Sequence, residues 1–350
     1  MEFIAPKSWR LIESADLKVD IANTIRRLWN QPVDGKHTFI GANPVSLLRS
    51  HMEQMKNEKY VVAEKTDGHR FFLMFFTVQK QNPSRTYRVS VFVNRRMVIF
   101  LSPVQSSDAN LYRGTILDGE LVKSHAQETS SSSQINFYFL FFDMLAVSGR
   151  CVTQESYARR LQYCQEIVSN SLIPGSDELE YRVKQIFHLA QIPHLVSQVI
   201  TKQPYENDGL IFTPLQCALT PNRNHHQFKW KSNEQHFMDF VTRIEKHSSS
   251  GSSKRVLCQL WQMNQKRLDM FTKTWIHVSH FCALGITDMR EFDKHDFILE
   301  YAHHMPTNSW RPVRKRTDKE FPNDKYTIEM TLSNIRENIG IHELYGSQFK

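Results

Sequence analysis

Residues 61–70 read Val61-Val62-Ala63-Glu64-Lys65-Thr66-Asp67-Gly68-His69-Arg70, and an apolar run from Phe71 to Phe76 follows directly. A lysine stands at the end of one apolar segment, an Asp-Gly turn signal comes next, and a second apolar segment begins. This order predicts strand, tight turn and strand, with Lys65 at the mouth of the turn. Partial desolvation there, with Arg70 close by, would disfavour the charged form and make Lys65 a candidate nucleophile. The plainer alternative is a solvated turn lysine, because so short a motif occurs often by chance.

The composition is that of a protein with a sizeable core and a basic surface. The chain has 350 residues, of which 40% are hydrophobic and 23 are Phe, enough for two domains or for one large domain with an appendage. The net charge of +8 and the sequence pI of about 9.2 favour an anionic partner such as a nucleic acid or a nucleotide, although a generically basic protein fits them equally well.

The cysteines and the apolar runs indicate the compartment. The five cysteines are odd in number and scattered, which argues against a disulfide framework or a cysteine zinc site and fits a reducing environment. The N-terminus lacks the regions of a signal peptide. The longest apolar run, Phe137 to Val147, contains Asp143 and falls far short of the ~20 residues that span a bilayer. We therefore predict an intracellular protein with no membrane association.

Carboxylates stand at the ends of three further apolar segments. Glu120 follows Ile116-Leu117-Asp118-Gly119, Asp143 ends the run that begins at Phe137, and Asp208 precedes Gly209-Leu210-Ile211-Phe212. Such carboxylates can hold Mg²⁺ or Mn²⁺ against phosphate oxygens. The alternatives are that Glu120 and Asp208 are turn-forming acids beside glycine, and that Asp143 caps a helix.

Two basic clusters complete the set of side chains that could act on a nucleotide phosphate. In Gln227-Phe228-Lys229-Trp230-Lys231, strand alternation would place both lysines on one face. The second cluster is Arg314-Lys315-Arg316-Thr317-Asp318-Lys319. Lysine and arginine neutralise the charge on transferred and leaving phosphoryl groups. The lysines could instead lie on the solvated face of an edge strand, and the late cluster could be a nuclear import signal or an RNA-binding patch.

Six motifs in this order resemble those of the GTP-dependent mRNA guanylyltransferase (mRNA capping enzyme) family. That family lies within the covalent nucleotidyltransferase superfamily, which also includes ATP-dependent DNA and RNA ligases. The motifs span nearly the whole chain and are Lys65-Thr66-Asp67-Gly68, Leu117-Asp118-Gly119-Glu120, Phe142-Asp143, Asp208-Gly209-Leu210-Ile211, Lys229-Trp230-Lys231 and Arg316-Thr317-Asp318-Lys319. The last motif, with Pro322-Asn323 behind it, resembles the capping type rather than the ligase type, as does the segment from Gly41 to Leu47.

The resemblance implies an α+β fold in three parts. Residues 1–238 would form a nucleotidyltransferase domain with antiparallel sheets, the ATP-grasp-like ligase and capping fold. Residues 239–327 would form an OB-fold β-barrel that acts as a lid, consistent with the short apolar segments that begin near Phe237. Residues 328–350 would form a C-terminal helix that packs back on the body.

The resemblance also implies a role for each site residue. Lys65 would attack the α-phosphate of GTP, release pyrophosphate and pass GMP to the 5′-diphosphate end of RNA. The metal, Mg²⁺ or Mn²⁺, would be held by Asp208, Asp143 and Glu120. Lys184 is a candidate guanine contact, and the lid would carry Arg314, Arg316, Asp318 and Lys319 onto the β- and γ-phosphates. The remaining nucleotide-binding residues would be Glu64, Thr66, Arg70, Arg95, Glu120, Asp208, Lys229 and Lys231.

The same resemblance implies partners and competing functions. We expect a separate RNA triphosphatase and a separate cap methyltransferase, a possible docking site for the phosphorylated tail of RNA polymerase II, and a nuclear location, or a cytoplasmic one if the protein is viral. The alternative functions are an ATP-dependent RNA or DNA ligase and a catalytically silent RNA-binding relative.

Overall fold

The structure is a computed structural model that describes residues 5–32, 39–79, 86–125, 136–176, 178–248, 254–317 and 319–345. Contacts divide this part of the chain into two compact units. The larger unit runs to Trp230 and includes residues 342–345, whereas the smaller unit comprises residues 48–50 and 231–341. The sequence had placed the domain boundary after residue 238, close to the start of the first long strand of the smaller unit.

The larger unit is built mainly from strands. They are β1 (Arg10–Leu11), β2 (Asn43–Ser46), β3 (Tyr60–Thr66), β4 (His69–Gln79), β5 (Thr86–Asn94), β6 (Ile99–Leu101), β7 (Gln105–Ser106), β8 (Thr115–Lys123), β9 (Phe137–Val147), β10 (Arg150–Cys151), β11 (Leu172–Ile173), β12 (Leu179–Val183), β13 (Phe187–His188), β14 (Asn207–Pro214) and β15 (Arg223–Trp230). The α-helices begin with α1 (Ala15–Leu28), α2 (Arg49–Asn57) and α3 (Tyr157–Asn170), and α4 (Ile192–His194) lies in an irregular helical segment over residues 189–202.

Two sheets contain most of these strands, and β7 pairs with β11 in a separate two-stranded sheet. The first has the order β1-β6-β5-β4-β8-β9-β10, with β12 added parallel to β9, and the second has the order β13-β3-β14-β15-β2. Nearly all the pairings are antiparallel. The prediction of an α+β fold with antiparallel sheets is therefore confirmed.

The apolar run after Gly68 fills β4 because that strand is buried on both faces. Phe71, Leu73 and Phe75 point into one core, which also contains Trp9 stacked on Phe92 with ring centroids 4.0 Å apart. The alternate residues of β4 pack on the other side, against a core that includes α1. A strand covered on both faces needs apolar residues at every position, which explains the unbroken run.

The strand, turn and strand around Lys65 form as predicted, but the two strands do not pair with each other. β3 ends at Thr66 in the second sheet, and β4 begins at His69 in the first. A side chain at Gly68 would place its Cβ 2.4 Å from the backbone oxygen of Leu121. The turn therefore passes the chain from one sheet to the other at a point where only glycine fits.

The smaller unit is a five-stranded antiparallel sheet. Its strands are β16 (Phe237–His247), β17 (Arg255–Asn264), β18 (Arg267–His277), β19 (Phe297–His304) and β20 (Ser309–Lys315), in the order β18-β17-β16-β19-β20. Helix α5 (Val278–Cys282) connects the third strand to the fourth, and α6 (Lys325–Glu337) packs on β16 and β17. This is the strand order of an OB fold, in which the first strand lies between the second and the fourth.

Candidate active site

Lys65 is the last residue but one of β3, and its side chain reaches across to β14. The Nζ atom donates to Oδ1 of Asp208 over 2.5 Å, and both side chains are mostly buried. Asp208 follows Asn207, which is the register partner of Thr66, so the ladder between β3 and β14 brings the two groups together. The partner of Lys65 is thus a carboxylate.

The face of the second sheet that carries Lys65 also carries Lys229. Ala63 lies two residues before Lys65 on the same face of β3, Ile211 is opposite Ala63, and Lys229 is opposite Ile211. Phe228, on the other face of β15, is fully buried. The alternation predicted for this strand therefore holds at Lys229, whereas Lys231 lies just beyond the end of β15 and is counted with the smaller unit.

A second lysine lies close to the strand end. Lys184 is buried, donates to Oγ1 of Thr66 over 2.7 Å, and lies 3.6 Å from Oε2 of Glu120. Thr66 donates in turn to Glu120 over 2.5 Å. Burial lowers the pKa of Lys184. The carboxylates of Glu120 and Glu64 act in the opposite direction, whereas the nearby charge of Lys65 lowers the pKa further. The structure therefore places Lys184 close enough to Lys65 for their charges to repel each other.

Glu64 points to the side of β3 opposite Lys65. Its Oε1 accepts a hydrogen bond from the hydroxyl of Tyr205 over 2.8 Å, whereas its buried Oε2 has no hydrogen-bond partner among the residues that the structure describes. Burial raises the pKa of Glu64, although Lys184 and Tyr205 act in the opposite direction. Glu64, Lys184 and Tyr205 help to line a cavity of about 130 Å³, whose walls also include Arg182.

Arg70 is held by Asp118. Its Nε donates to Oδ1 of Asp118 over 2.8 Å, its Nη2 contacts Oδ2, and its Nη1 donates to the backbone oxygen of Ala42. Although burial opposes the charged form, Asp118 keeps the pKa of Arg70 above its ordinary value. Arg70 lies opposite Glu120 in the ladder between β4 and β8. The ion pair of Arg70 with Asp118 therefore forms one wall of the site.

Asp143 does not have the surroundings of the metal ligand that the sequence suggested. Its Oδ1 accepts from Nε of Arg160 over 2.6 Å and from the backbone N–H of Met144, and its Oδ2 accepts from Arg160 over 3.1 Å. Both side chains are almost completely buried. Both carboxylate oxygens of Asp143 therefore accept hydrogen bonds within the protein, and Arg160 on α3 is its structural partner. The other two carboxylates near this position, Asp118 and Glu120, lie on the same face of β8.

Arg95 lies in the turn that follows β5. Desolvation of its guanidinium and the like charge of Arg70 lower the pKa of Arg95, whereas Glu120 and Asp118 oppose that shift. The structure thus places Arg95 within electrostatic reach of Arg70, Glu120 and Asp118, and its contact with the nucleotide stays a prediction.

Comparison with known proteins identifies the family. The catalytic-domain profile of the mRNA capping enzyme matches residues 11–233, and the profile of its C-terminal domain matches residues 222–345. The chain belongs to the mRNA capping enzyme family. The mRNA-capping enzyme subunit alpha of Saccharomyces cerevisiae is 24% identical, over 97% of this chain and 85% of its own length, and that of Neurospora crassa is 29% identical, over 94% and 88%.

A zebrafish relative differs in length. The mRNA-capping enzyme of Danio rerio is 27% identical over 85% of this chain but only 47% of its own length, so this chain corresponds to about half of that protein. The predictions of a capping enzyme, of a nucleotidyltransferase and of GMP transfer in cap formation are confirmed at the level of the family. No helix in the described ranges is long and apolar enough to cross a membrane.

The basic residues of the last capping motif form a network within the smaller unit. Arg316 donates from Nη1 to both oxygens of Asp239, over 3.1 and 3.0 Å, and to Glu300 over 3.1 Å. Arg314 pairs with Glu300 over 2.9 Å, and Lys319 contacts Asp239. Asp318, the fourth member of the predicted set, lies outside the described residues.

Several residues of the site were missed at the sequence level. Asp118 belongs to the motif Leu117-Asp118-Gly119-Glu120. It stands two residues before Glu120, so strand alternation could have placed it on the same face as Glu120. Asp239 and Glu300 are buried acids with apolar residues on both sides in the sequence, and a buried acid is itself a sign of a charged partner. Arg160 and Tyr205 had no signal, because their partners are distant in the chain.

Proposed function

We propose that Lys65 is the nucleophile that carries GMP between GTP and RNA in this capping enzyme. The observation that supports the proposal is the contact between Lys65 and Asp208 at the end of β3, beside Thr66 and Lys184. A lysine held by one carboxylate and flanked by a second cation is pre-oriented for attack on a phosphorus atom.

In the first step, the neutral Nζ of Lys65 would attack the α-phosphorus of GTP. A P–N bond forms, the bond from the α-phosphorus to the bridging oxygen of the β-phosphate breaks, and pyrophosphate leaves with that electron pair. Asp208 is the group placed to receive the proton that Nζ gives up. In the second step, a β-phosphate oxygen of a 5′-diphosphate RNA would attack the same phosphorus, and the P–N bond would break as Nζ regains a proton.

The other side chains would hold the nucleotide. Lys184 and Thr66 are proposed to face guanine, Glu120 the ribose hydroxyls, and Lys229 the α-phosphate, since Lys229 shares the sheet face of Lys65. Arg70 would act from its fixed position on Asp118, and Arg95 from the turn after β5. Lys231, Arg314, Arg316, Asp318 and Lys319 are proposed as the phosphate contacts that close over GTP. Glu64 would line the nucleotide pocket from the opposite side of β3.

The donor set fits a divalent cation in part. Asp208 and Glu120 offer the oxygen ligands that Mg²⁺ and Mn²⁺ prefer, and substrate phosphates and water commonly complete such a site. No group of three or more metal-binding side chains was found among the residues that the structure describes. We therefore propose Asp208 and Glu120, without Asp143, as the residues that would hold the cation. The bound cation would neutralise phosphate charge.

The partners follow from the relatives. The fungal relatives are named as alpha subunits, so we propose that this chain works with a separate RNA triphosphatase. A cap methyltransferase and the phosphorylated tail of RNA polymerase II are further proposed partners, and the nucleus is the proposed location, or the cytoplasm for a viral protein.

The test is covalent labelling. The purified protein is incubated with a divalent cation and with GTP or ATP that is radiolabelled at the α-phosphate, and is then separated on a denaturing gel. We expect label from GTP and none from ATP. Lys65→Ala should abolish the label, whereas Lys59→Ala, which alters an exposed lysine just before the same strand, should retain it.

The other outcomes point to the other functions. Label from ATP alone would identify a ligase. A folded protein that takes label from neither nucleotide would indicate a silent RNA-binding relative. Label that persists in Lys65→Ala would refute the assignment of the nucleophile.

A further inference from the structure

One face of the smaller unit carries aromatic and basic side chains that the proposed reaction does not use. Along β17, Val256, Cys258 and Leu260 are completely buried, so the intervening residues point outward. The outward residues and their neighbours on β16 and β18 form a surface that we call the β17–β18 face. It comprises Arg243, Lys246, Arg255, Leu257, Gln259, Trp261, Met270, Lys273 and Trp275.

Two tryptophans mark the ends of this face. Trp275 is 49% exposed on the edge strand β18, and its register partner is Leu257 on β17. Trp261 lies four residues along β17 from Leu257, which is about 14 Å in an extended strand. The guanidinium of Arg243 lies 4.9 Å from the centre of the Trp261 ring. The two rings are therefore separated by a gap that a short run of nucleotides could bridge.

Basic groups occupy the space between and around the rings. Lys273 and Gln259 form the cross-strand pair between them, and Lys246 lies opposite Leu257. Lys273 pairs with Glu245 over 2.5 Å and Arg243 with Asp296 over 2.8 Å. These pairs are partly exposed, and such pairs contribute little to stability, so a phosphate can compete for the cations. Four cations face two carboxylates, which leaves the face positive.

We propose that the β17–β18 face binds single-stranded RNA, with Trp275 and Trp261 as stacking platforms and Lys273, Lys246 and Arg243 as phosphate contacts. Aromatic rings interleaved with cations are the combination by which proteins bind single strands without sequence preference, and the second and third strands of an OB fold are a common place for it. Trp275 supplies the exposed ring, and Trp261 supplies a half-buried ring beside Arg243. A protein partner would favour a more continuous apolar patch. The inference rests on the proposed RNA acceptor and adds a surface that holds the body of the RNA.

The experiment measures binding of a fluorescent single-stranded RNA of about 16 nucleotides, a length at the upper end of the site sizes seen for OB folds. The RNA carries a 5′-hydroxyl, so it cannot accept GMP and only the binding surface is tested. Anisotropy is recorded at several salt concentrations for the full chain. Thermal melting confirms that each variant is folded.

We expect Trp275→Ala to weaken binding about tenfold, the scale of losing one stacked base, and Trp275→Phe to retain most of the affinity. Lys273→Ala should lower the slope of the logarithm of affinity against that of salt by about 0.7, the value for one phosphate contact on a single strand. The controls are Met305→Ala, an exposed apolar residue after β19, and Lys294→Ala, an exposed lysine before it; both should bind as the unaltered protein does.

The proposal is overturned if Trp275→Ala binds RNA normally, as it would if the face docks a protein, or if the two controls lose as much affinity. Formation of the lysine–GMP adduct needs no RNA, so it should persist in Trp275→Ala. A chain that forms no adduct yet loses RNA affinity on Trp275→Ala would refute the proposed function and leave this surface standing.

Discussion

Asp118 and Asp143 lie directly opposite each other on β8 and β9, and each is neutralised by its own arginine. Two buried carboxylates on neighbouring strands would repel each other strongly, yet Arg70 approaches one and Arg160 the other. Arg70 belongs to the strand that follows Lys65, whereas Arg160 belongs to α3. The arrangement connects the wall of the active site to the helix behind it through two adjacent ion pairs.

The first prediction separates a structural role of Asp143 from a role as a metal ligand. Arg160→Met should destabilise the protein by about 3–5 kcal/mol, because it leaves a buried carboxylate without its partner. The double change Arg160→Met with Asp143→Leu should recover most of that loss and retain adduct formation from GTP. Denaturation by urea measures the stability. A double variant that is stable but forms no adduct at any Mg²⁺ or Mn²⁺ concentration would restore Asp143 as a catalytic ligand.

The second prediction concerns the network in the smaller unit. Asp239 and Glu300 are register partners on β16 and β19, and Arg316 bridges them. Arg316→Ala should cost about 3–5 kcal/mol, because two buried carboxylates then face each other with weaker compensation.

The control separates stability from catalysis. Adding Glu300→Gln to Arg316→Ala should restore much of the stability, measured by urea denaturation at neutral pH, without restoring adduct formation from GTP. If the double variant labels normally, Arg316 serves only to hold the fold of the smaller unit, and its proposed contact with GTP is wrong.

The third prediction is a pH dependence that Glu64 causes. Burial raises the pKa of Glu64 above its ordinary value of 4.5. The native state therefore binds the proton more tightly than the unfolded state, and this contribution to stability is present below pH 4.5 and is lost as the pH rises through the higher native pKa. Glu64→Gln removes the titration. As the pH rises across this window, the free energy of unfolding of the Glu64→Gln variant should therefore increase relative to that of the unaltered protein.

Urea denaturation at a series of pH values measures the difference. The matched control is Glu53→Gln on α2, the same substitution at a carboxylate that is 71% exposed. A Glu64→Gln curve that runs parallel to that of the unaltered protein would contradict the prediction.

The sequence was sufficient for most local elements and for the order of the motifs, because turn signals and apolar runs depend on neighbouring residues. The turn at Asp67-Gly68 and the buried strand after it form where they were expected. The short strand β2 over Asn43–Ser46 was not predicted, because its extended form is imposed by pairing with the distant strand β15. A local sequence pattern does not show which distant segments pair as strands.

The same limit explains the errors at the site. Lys65 was expected to have Arg70 as its neighbour because the two are close in sequence, but β3 and β4 belong to different sheets, and the neighbour is Lys184. Asp143 was expected to be a metal ligand because a buried carboxylate needs a partner. Asp143 does have a charged partner, but that partner is Arg160, which lies on a helix that carries none of the motifs.

The last prediction tests the turn on which the site depends. Gly68→Ala should destabilise the larger unit and reduce adduct formation, because the added Cβ would lie 2.4 Å from the backbone oxygen of Leu121, and a backbone oxygen between β4 and β9 cannot move aside. Overpacking of this kind typically costs about 1–3 kcal/mol. The comparison is Gly285→Ala, whose Cβ meets nothing within 4 Å and whose cost comes only from its positive φ of 76°. Gly285→Ala should retain adduct formation, whereas a Gly68→Ala protein with normal stability and labelling would show that the turn can relax and that the close approach to Leu121 does not fix Lys65.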